Sequence, residues 1–247
     1  MLTLRNPHSV LAALRSRPDA VAEVRLPEPK GHGAWDRVAS EARRLGRPVR
    51  IGASTDDRDR REQRGPRRPA GGGGRTGAEA YVDEREPLIV DQLFDGRQTG
   101  GLWLALDQVQ DPHNVGAIFR TAAFFGVRGI VMTEVRAASL TSVVYDVASG
   151  GVEVVPFAVE TNLRRSLEAA KKAGVWILGT SEHAQRDVSE VPADRPWLLV
   201  VGNEETGLRR LTLDTCDEVC RVTPQGDAVT SLNVSVATGI LIAALSR

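Results

Sequence analysis

From Gly101 onward the chain alternates short apolar runs with segments of helical spacing. That alternation limits its possible folds more than any other feature of its 247 residues. The strand-like runs are Leu102–Leu106, Gly129–Met132, Val154–Phe157, Val175–Leu178, Trp197–Val201 and Val219–Val222. Helical segments fall between most of them: Val115–Phe125, Leu140–Ala148, Leu163–Lys172 and finally Leu232–Leu245. Strands and helices alternating through short connections imply an α/β fold with a mostly parallel sheet covered on both faces. Ligands of such sheets bind at the carboxyl ends of the strands, where the polar residues of this chain cluster.

A smaller α/β unit precedes this region. Pro7 to Arg15 has helix spacing with Val10, Leu11 and Leu14 apolar, and Ala22–Leu26 reads as a strand. Trp35 to Leu45 reads as a second helix, Pro48–Ile51 as another strand, and Glu79–Val82 as the strand that completes the sheet. Between Ser54 and Gly77 the chain is rich in arginine and glycine and almost free of apolar residues. Such a stretch cannot bury enough surface to offset its ordering entropy, so residues 55–77 are expected to be flexible. The segment is either a solvated linker or a phosphate contact. The expected domains are residues 1–83, a linker at 84–100, and residues 101–247.

Aromatic residues make up 4% of the chain, which argues against a platform of stacked bases. The formal charge of +0 argues against a uniformly basic coat but leaves room for a local basic patch. Cys216 and Cys220 stand four apart with no further cysteine, too few ligands for a zinc site, so reduced and partly buried thiols are expected. No apolar run reaches membrane-spanning length and the N-terminus has no signal-peptide core, so a cytoplasmic protein without membrane or metal is expected.

Three polar clusters follow strands. The first runs from Asp107 to Arg120. Asn114 is its candidate helix cap and Gly126 the helix stop, while Arg120 stands among apolar residues. A buried arginine there needs a carboxylate or a phosphate, and a structural salt bridge would also satisfy it. The second cluster, Gly202 to Leu208, is a glycine-bracketed acidic turn containing Asn203 and Glu204. Alone it is a weak signal, since many strand-to-helix turns look alike. The third places Ser231 and Asn233 at the mouth of the apolar final helix, where they are either a simple cap or something more.

Asn114 with Arg120, then Gly202, Asn203 and Glu204, then Ser231 to Asn233 occur in one order, each at a strand end. This arrangement resembles the SpoU (TrmH) family of ribose 2′-O-methyltransferases over Gly101 to Arg247. Residues Asp111–Asn114, Arg209–Leu211, Cys216–Glu218 and Ser231–Gly239 are most similar to the RlmB type, which methylates a guanosine of 23S rRNA. The segment Asn6–Leu14 resembles the start of that type's RNA-binding domain, although Asn6 replaces a usual glycine.

The resemblance implies a trefoil-knotted parallel-sheet (SPOUT) methyltransferase domain, preceded by a small α/β RNA-binding domain. It also implies a homodimer with the final helix at its interface, where apolar Val234, Ile240, Leu241 and Leu245 would suit either an interface or an internal core. The implied cofactor is S-adenosyl-L-methionine, held by Leu178, Gly179, Thr180, Gly202, Asn203, Val222, Thr223, Pro224, Ser231 and Leu232. The implied catalytic residues are Asn114, Arg120, Glu204, Ser231 and Asn233. In that scheme Arg120 is a base assisted by the RNA phosphate, or a clamp on phosphate and developing alkoxide. The clamp is physically easier, because a guanidinium is a poor proton acceptor. Asn114 would orient the ribose or Arg120, and Glu204 would hold Arg120 or a group of the partner subunit.

Overall fold

The computed structural model describes residues 1–27, 33–52, 77–94, 100–134 and 137–246. The expected flexible stretch, 55–77, therefore lies outside the described residues except for Gly77. The chain divides into two compact units, Met1–Glu84 and Arg85–Arg247.

In the first unit, β1 (Leu2–Leu4), β2 (Val21–Leu26), β3 (Val49–Ile51) and β4 (Glu79–Val82) form a sheet of order β1-β4-β2-β3. Strand β4 runs antiparallel to β1 and β2, and β3 runs parallel to β2. Helices α1 (Pro7–Ser16) and α2 (Ala34–Arg44) pack together and onto this sheet, burying Val10, Leu14, Val38 and Ala42. Asn6 caps α1 by accepting from the His8 backbone N–H at 2.9 Å, a role that glycine could not fill with a side chain. Strand β1 was not legible in the sequence, because three residues are too few to show an alternating pattern.

The second unit holds a seven-stranded, all-parallel sheet of order β7-β6-β5-β10-β8-β11-β9. The strands are β5 (Leu102–Leu106), β6 (Gly129–Thr133), β7 (Phe157–Glu160), β8 (Trp176–Thr180), β9 (Arg186–Asp187), β10 (Trp197–Val201) and β11 (Glu218–Arg221). Every residue of β5, β6 and β10 is buried, as strands covered on both faces should be. One face carries α3 (Val90–Leu93) and α7 (Leu163–Lys172), with Phe94, Trp103, Leu167 and Leu198 in a shared core. Helices α4 (Pro112–Phe125), α5 (Ser142–Ala148), α6 (Gly151–Val154) and the last helix, α9 (Val234–Leu245), form another packed group. In it α4 touches the other three. A short helix, α8 (Arg210–Leu213), follows β10.

Two expectations shift. Residues 85–94 of the expected linker belong to the second unit: α3 packs on β7 and α7, and Leu88 bridges to Ala158. The apolar run Val154–Phe157 is split between the end of α6 and the start of β7, leaving Val154 exposed. Gly151 makes this possible, because a Cβ there would run into the backbone of Phe119 and Arg120. An apolar run alone does not say whether it is strand or helix.

The strand order positions the site. From β5 the chain steps outward through β6 and β7, then returns to lay β10 and β8 on the other side of β5. The carboxyl ends of β5 and β10 therefore lie side by side where the order reverses, and the Asp107 backbone N–H donates to the Val201 carbonyl at 2.8 Å.

Candidate active site

The loop after β10 is shaped by its glycines. A Cβ on Gly202 would collide with the backbone of Gly207 and Leu208, and Gly207 has a φ of +65°. The turn closes through a pair of backbone hydrogen bonds between Asn203 and Gly207, at 3.2 and 3.0 Å. The Asn203 Oδ1 accepts from the backbone N–H groups of Glu205 and Thr206, and its Nδ2 donates to the Gln108 carbonyl at 2.9 Å. Glycine supplies the close approach and Asn203 ties the loop to the end of β5.

Glu204 projects from this loop across the start of α4. Its carboxylate accepts from the backbone N–H groups of Gln110 and Asp111 and from Asn114 Nδ2 at 3.1 Å. Asn114 Oδ1 in turn accepts from Asn233 Nδ2 at 3.0 Å. Asn233 is the N-cap of α9, its Oδ1 accepting from the backbone N–H of Ser235 at 2.9 Å. All three sequence clusters thus meet in one chain of hydrogen bonds, Glu204–Asn114–Asn233. Partial burial works against the Glu204 charge, but hydrogen bonds from its own backbone and from Asn114, Asp111 and Gln110 outweigh it and lower the pKa below the ordinary glutamate value.

Asn114 is not the cap of α4. Asp111 is, accepting from the His113 N–H at 2.8 Å, while Asn114 sits buried in the first turn. The stop at Gly126 is as expected, with φ +69°.

Arg120 departs further from expectation. It is exposed, not buried, and has no hydrogen bond or ion pair among the described residues, so Glu204 does not hold it. Six residues along a helix turn a side chain about 120° away from Asn114. Arg120 therefore shares its side of α4 with Phe124, which is also exposed, rather than with the Asn114 network.

Beside the network lies a cavity of about 620 Å³, lined by residues 180–183, 201–208, 220–225 and 229–232 with Leu213, Val234, Ala237 and Leu241. Of the expected cofactor residues, Thr180, Gly202, Asn203, Val222, Thr223, Pro224, Ser231 and Leu232 line it. Leu178 and Gly179 do not. Both lie within β8, whose edges are paired to β10 and β11, and Gly179 packs under Cys216 and Leu208. Of the expected catalytic residues, Glu204 and Ser231 reach the cavity wall. Ser231 is exposed there and makes no hydrogen bond among the described residues.

Two supports were missed by sequence reasoning. Asp107, at the end of β5, is 1% exposed and takes both ends of the Arg209 guanidinium, Nη2 at 2.7 Å and Nε at 3.2 Å, plus the Thr212 hydroxyl at 2.8 Å. On the cavity's other side, Asp187 accepts from the Thr223 N–H at 2.9 Å and from Ser189. These bonds hold its carboxyl far below the usual range. An aspartate directly after a buried strand was the available signal for Asp107.

Cys216 is partly buried and Cys220 buried, both free, and desolvation pushes each thiol up to about 12. Neither is a reactive thiolate. No helix among the described residues is long and apolar enough to cross a membrane.

The SpoU rRNA Methylase family matches residues 101–243. The chain is 35% identical to a 23S rRNA (guanosine-2'-O-)-methyltransferase RlmB of Nitrosomonas europaea, over 95% of this chain and 87% of that one. It is 36% identical to the protein of the same name from Pseudomonas aeruginosa, over 97% and 94%. The fold is shared with the SpoU methyltransferase AviRb from Streptomyces viridochromogenes, solved in complex with the cofactor AdoMet. The TM-score is 0.75 at 21% identity, covering 99% of this chain and 89% of that one. With the family matched across the whole strand–helix array that builds the site, this chain belongs to the SpoU rRNA methylases.

Proposed function

We propose that the protein transfers a methyl group from S-adenosylmethionine to the 2′-hydroxyl of a guanosine in 23S ribosomal RNA. The observation that carries this reading is the Glu204–Asn114–Asn233 network set against a cavity of about 620 Å³, a size that suits a small-molecule cofactor. Near full-length similarity to proteins named for that reaction supports the choice of RNA.

The residues present fit the cofactor. Gly202 lets the backbone of Gly207 and Leu208 close against it to form the cavity wall, and the polar lining mixes acidic groups with one arginine, Arg221. The cofactor supplies an activated methyl group on a good leaving group, so the protein's work is orientation and activation of a weakly acidic hydroxyl. Glu204 fixes Asn114, and Asn114 with Asn233 presents an amide pair beside the cavity. Ser231, free on the wall, is a donor and acceptor for the ribose or the cofactor. Arg120, exposed and with no hydrogen bond or ion pair among the described residues, is available to clamp an RNA phosphate from the side of α4 turned away from Asn114.

The proposal includes a homodimer and a threaded C-terminal segment. Leu241 and Leu245 are buried within their own unit, which leaves Ile240 and Val236, 40% and 52% exposed, as the apolar stripe of α9 for a partner. The first unit is taken as the RNA-binding domain, and the protein as cytoplasmic, where its RNA is.

The test is incubation with labelled cofactor and separate rRNA and tRNA pools, alongside the Arg120→Ala variant. Label should enter rRNA at guanosine ribose, and the variant should lose transfer while still binding the cofactor. Label confined to tRNA would overturn the choice of RNA, and full transfer by the variant would remove Arg120 from the mechanism.

A further inference from the structure

We propose that Arg221 recognises the carboxylate at the amino-acid end of S-adenosylmethionine. The inference deepens the cofactor reading above and rests on it.

Arg221 closes β11 at the edge of the cavity and lines it. Its Nε is sealed from solvent and has no hydrogen-bond partner among the described residues. A buried donor left in this state is costly, and native structures keep few of them without a reason. The carboxylates nearest in the sheet are already engaged. Asp187, its register partner on β9, is taken by Thr223 and Ser189, and Glu218 pairs with Arg186. Because Nε is sealed, an anion in the cavity would be met by the Nη groups, and Arg221 has no carboxylate partner among the described residues.

The cavity narrows which anion that is. Among its lining residues Arg221 is the only lysine or arginine, while Glu182, Glu204 and Glu205 are acidic. The cofactor carries two cationic groups, sulfonium and ammonium, and one anionic group, the carboxylate. The acidic residues suit the cations, and the carboxylate is left for Arg221. A planar guanidinium matches a carboxylate with two parallel donors, which an ammonium cannot do. The competing anion is an RNA phosphate.

Calorimetry with two ligands separates these cases. S-adenosylhomocysteine keeps the carboxylate and cannot react, and its decarboxylated analogue lacks only that group. Wild-type protein should prefer the former by roughly tenfold to a hundredfold, the range for a charge-assisted pair. Arg221→Met should erase that preference while binding the decarboxylated analogue within about threefold of wild type, which also reports that the variant is folded. Arg221→Lys should restore only part of it. A variant that keeps the wild-type preference overturns the proposal, and so does one that loses both ligands equally. Loss of RNA binding with the cofactor preference intact would assign Arg221 to phosphate instead. Wild-type protein binding neither ligand would bring down the cofactor reading, and this inference with it.

Discussion

Asp107 and Glu204 follow the carboxyl ends of neighbouring strands, and both fasten loops around the same cavity, yet they do so in different ways. Asp107 is 1% exposed and meets a cation, Arg209, in a two-point grip. Glu204 is exposed and meets neutral donors, backbone N–H groups including those of Gln110 and Asp111 together with the Asn114 and Asn203 amides. The first arrangement cancels its charge and anchors the start of α8. The second keeps a carboxylate ionised with its charge uncompensated at the cavity wall, where a cationic ligand would benefit. One is a fastening, and the other is a fastening that also sets the local field.

The difference has energetic consequences that can be measured. Arg209→Met should produce the largest effect, because it leaves the buried Asp107 carboxylate with only the Thr212 hydroxyl as a side-chain donor. Breaking a fully buried pair costs about 3–5 kcal/mol. Since Arg209 is half exposed, roughly 2–3 kcal/mol is expected here. Denaturant unfolding at neutral pH measures it, and a loss below about 0.5 kcal/mol would show that the grip contributes little to holding the fold.

A smaller effect is expected from Asn233, which joins the Glu204 side of the comparison to α9. Asn233→Ala removes an N-cap and the donor to Asn114, for a loss of about 1–2 kcal/mol. Asn233→Asp keeps the capping oxygen but replaces the donor with an acceptor that faces Asn114 Oδ1. It should recover at most about 1 kcal/mol of stability while methyl transfer stays impaired. If the aspartate variant transfers methyl groups at the wild-type rate, the Asn114–Asn233 bond has no part in function.

Much of this was readable in advance because buried parallel strands leave long apolar runs, and turn residues must follow them. The strands at 102–106 and 197–201 fall where the pattern put them, and Gly202 and Gly207 mark the tight loop. The meeting of Asn114, Glu204 and Asn233 was legible only as an order of motifs. Their contacts span 90 and 119 residues and depend on β10 lying beside β5. Arg120 misled because its apolar neighbours in sequence are not its neighbours on the helix surface. Leu178 and Gly179 stay off the cavity wall because a residue near a strand end can still be fully enclosed by the ladder. Arg221 carried no sequence signal, since an unpaired donor shows only once every neighbouring carboxylate has been assigned.

The smallest effect concerns the Glu204 charge itself. Its folded pKa is depressed, so the folded protein prefers the ionised carboxylate more than the unfolded chain does. The stability this contributes is fully present above the ordinary glutamate value, about 4.3, and is lost as pH falls through the lower folded value. Glu204→Gln has no such proton to gain. Its unfolding midpoint should therefore fall less steeply than that of wild type on acidification from pH 5 towards about pH 3. The two proteins differ at this one carboxylate, so the difference between the two curves isolates Glu204. Parallel curves would mean that the hydrogen bonds around Glu204 do not distinguish its charged form, and that the contrast with Asp107 is one of geometry alone.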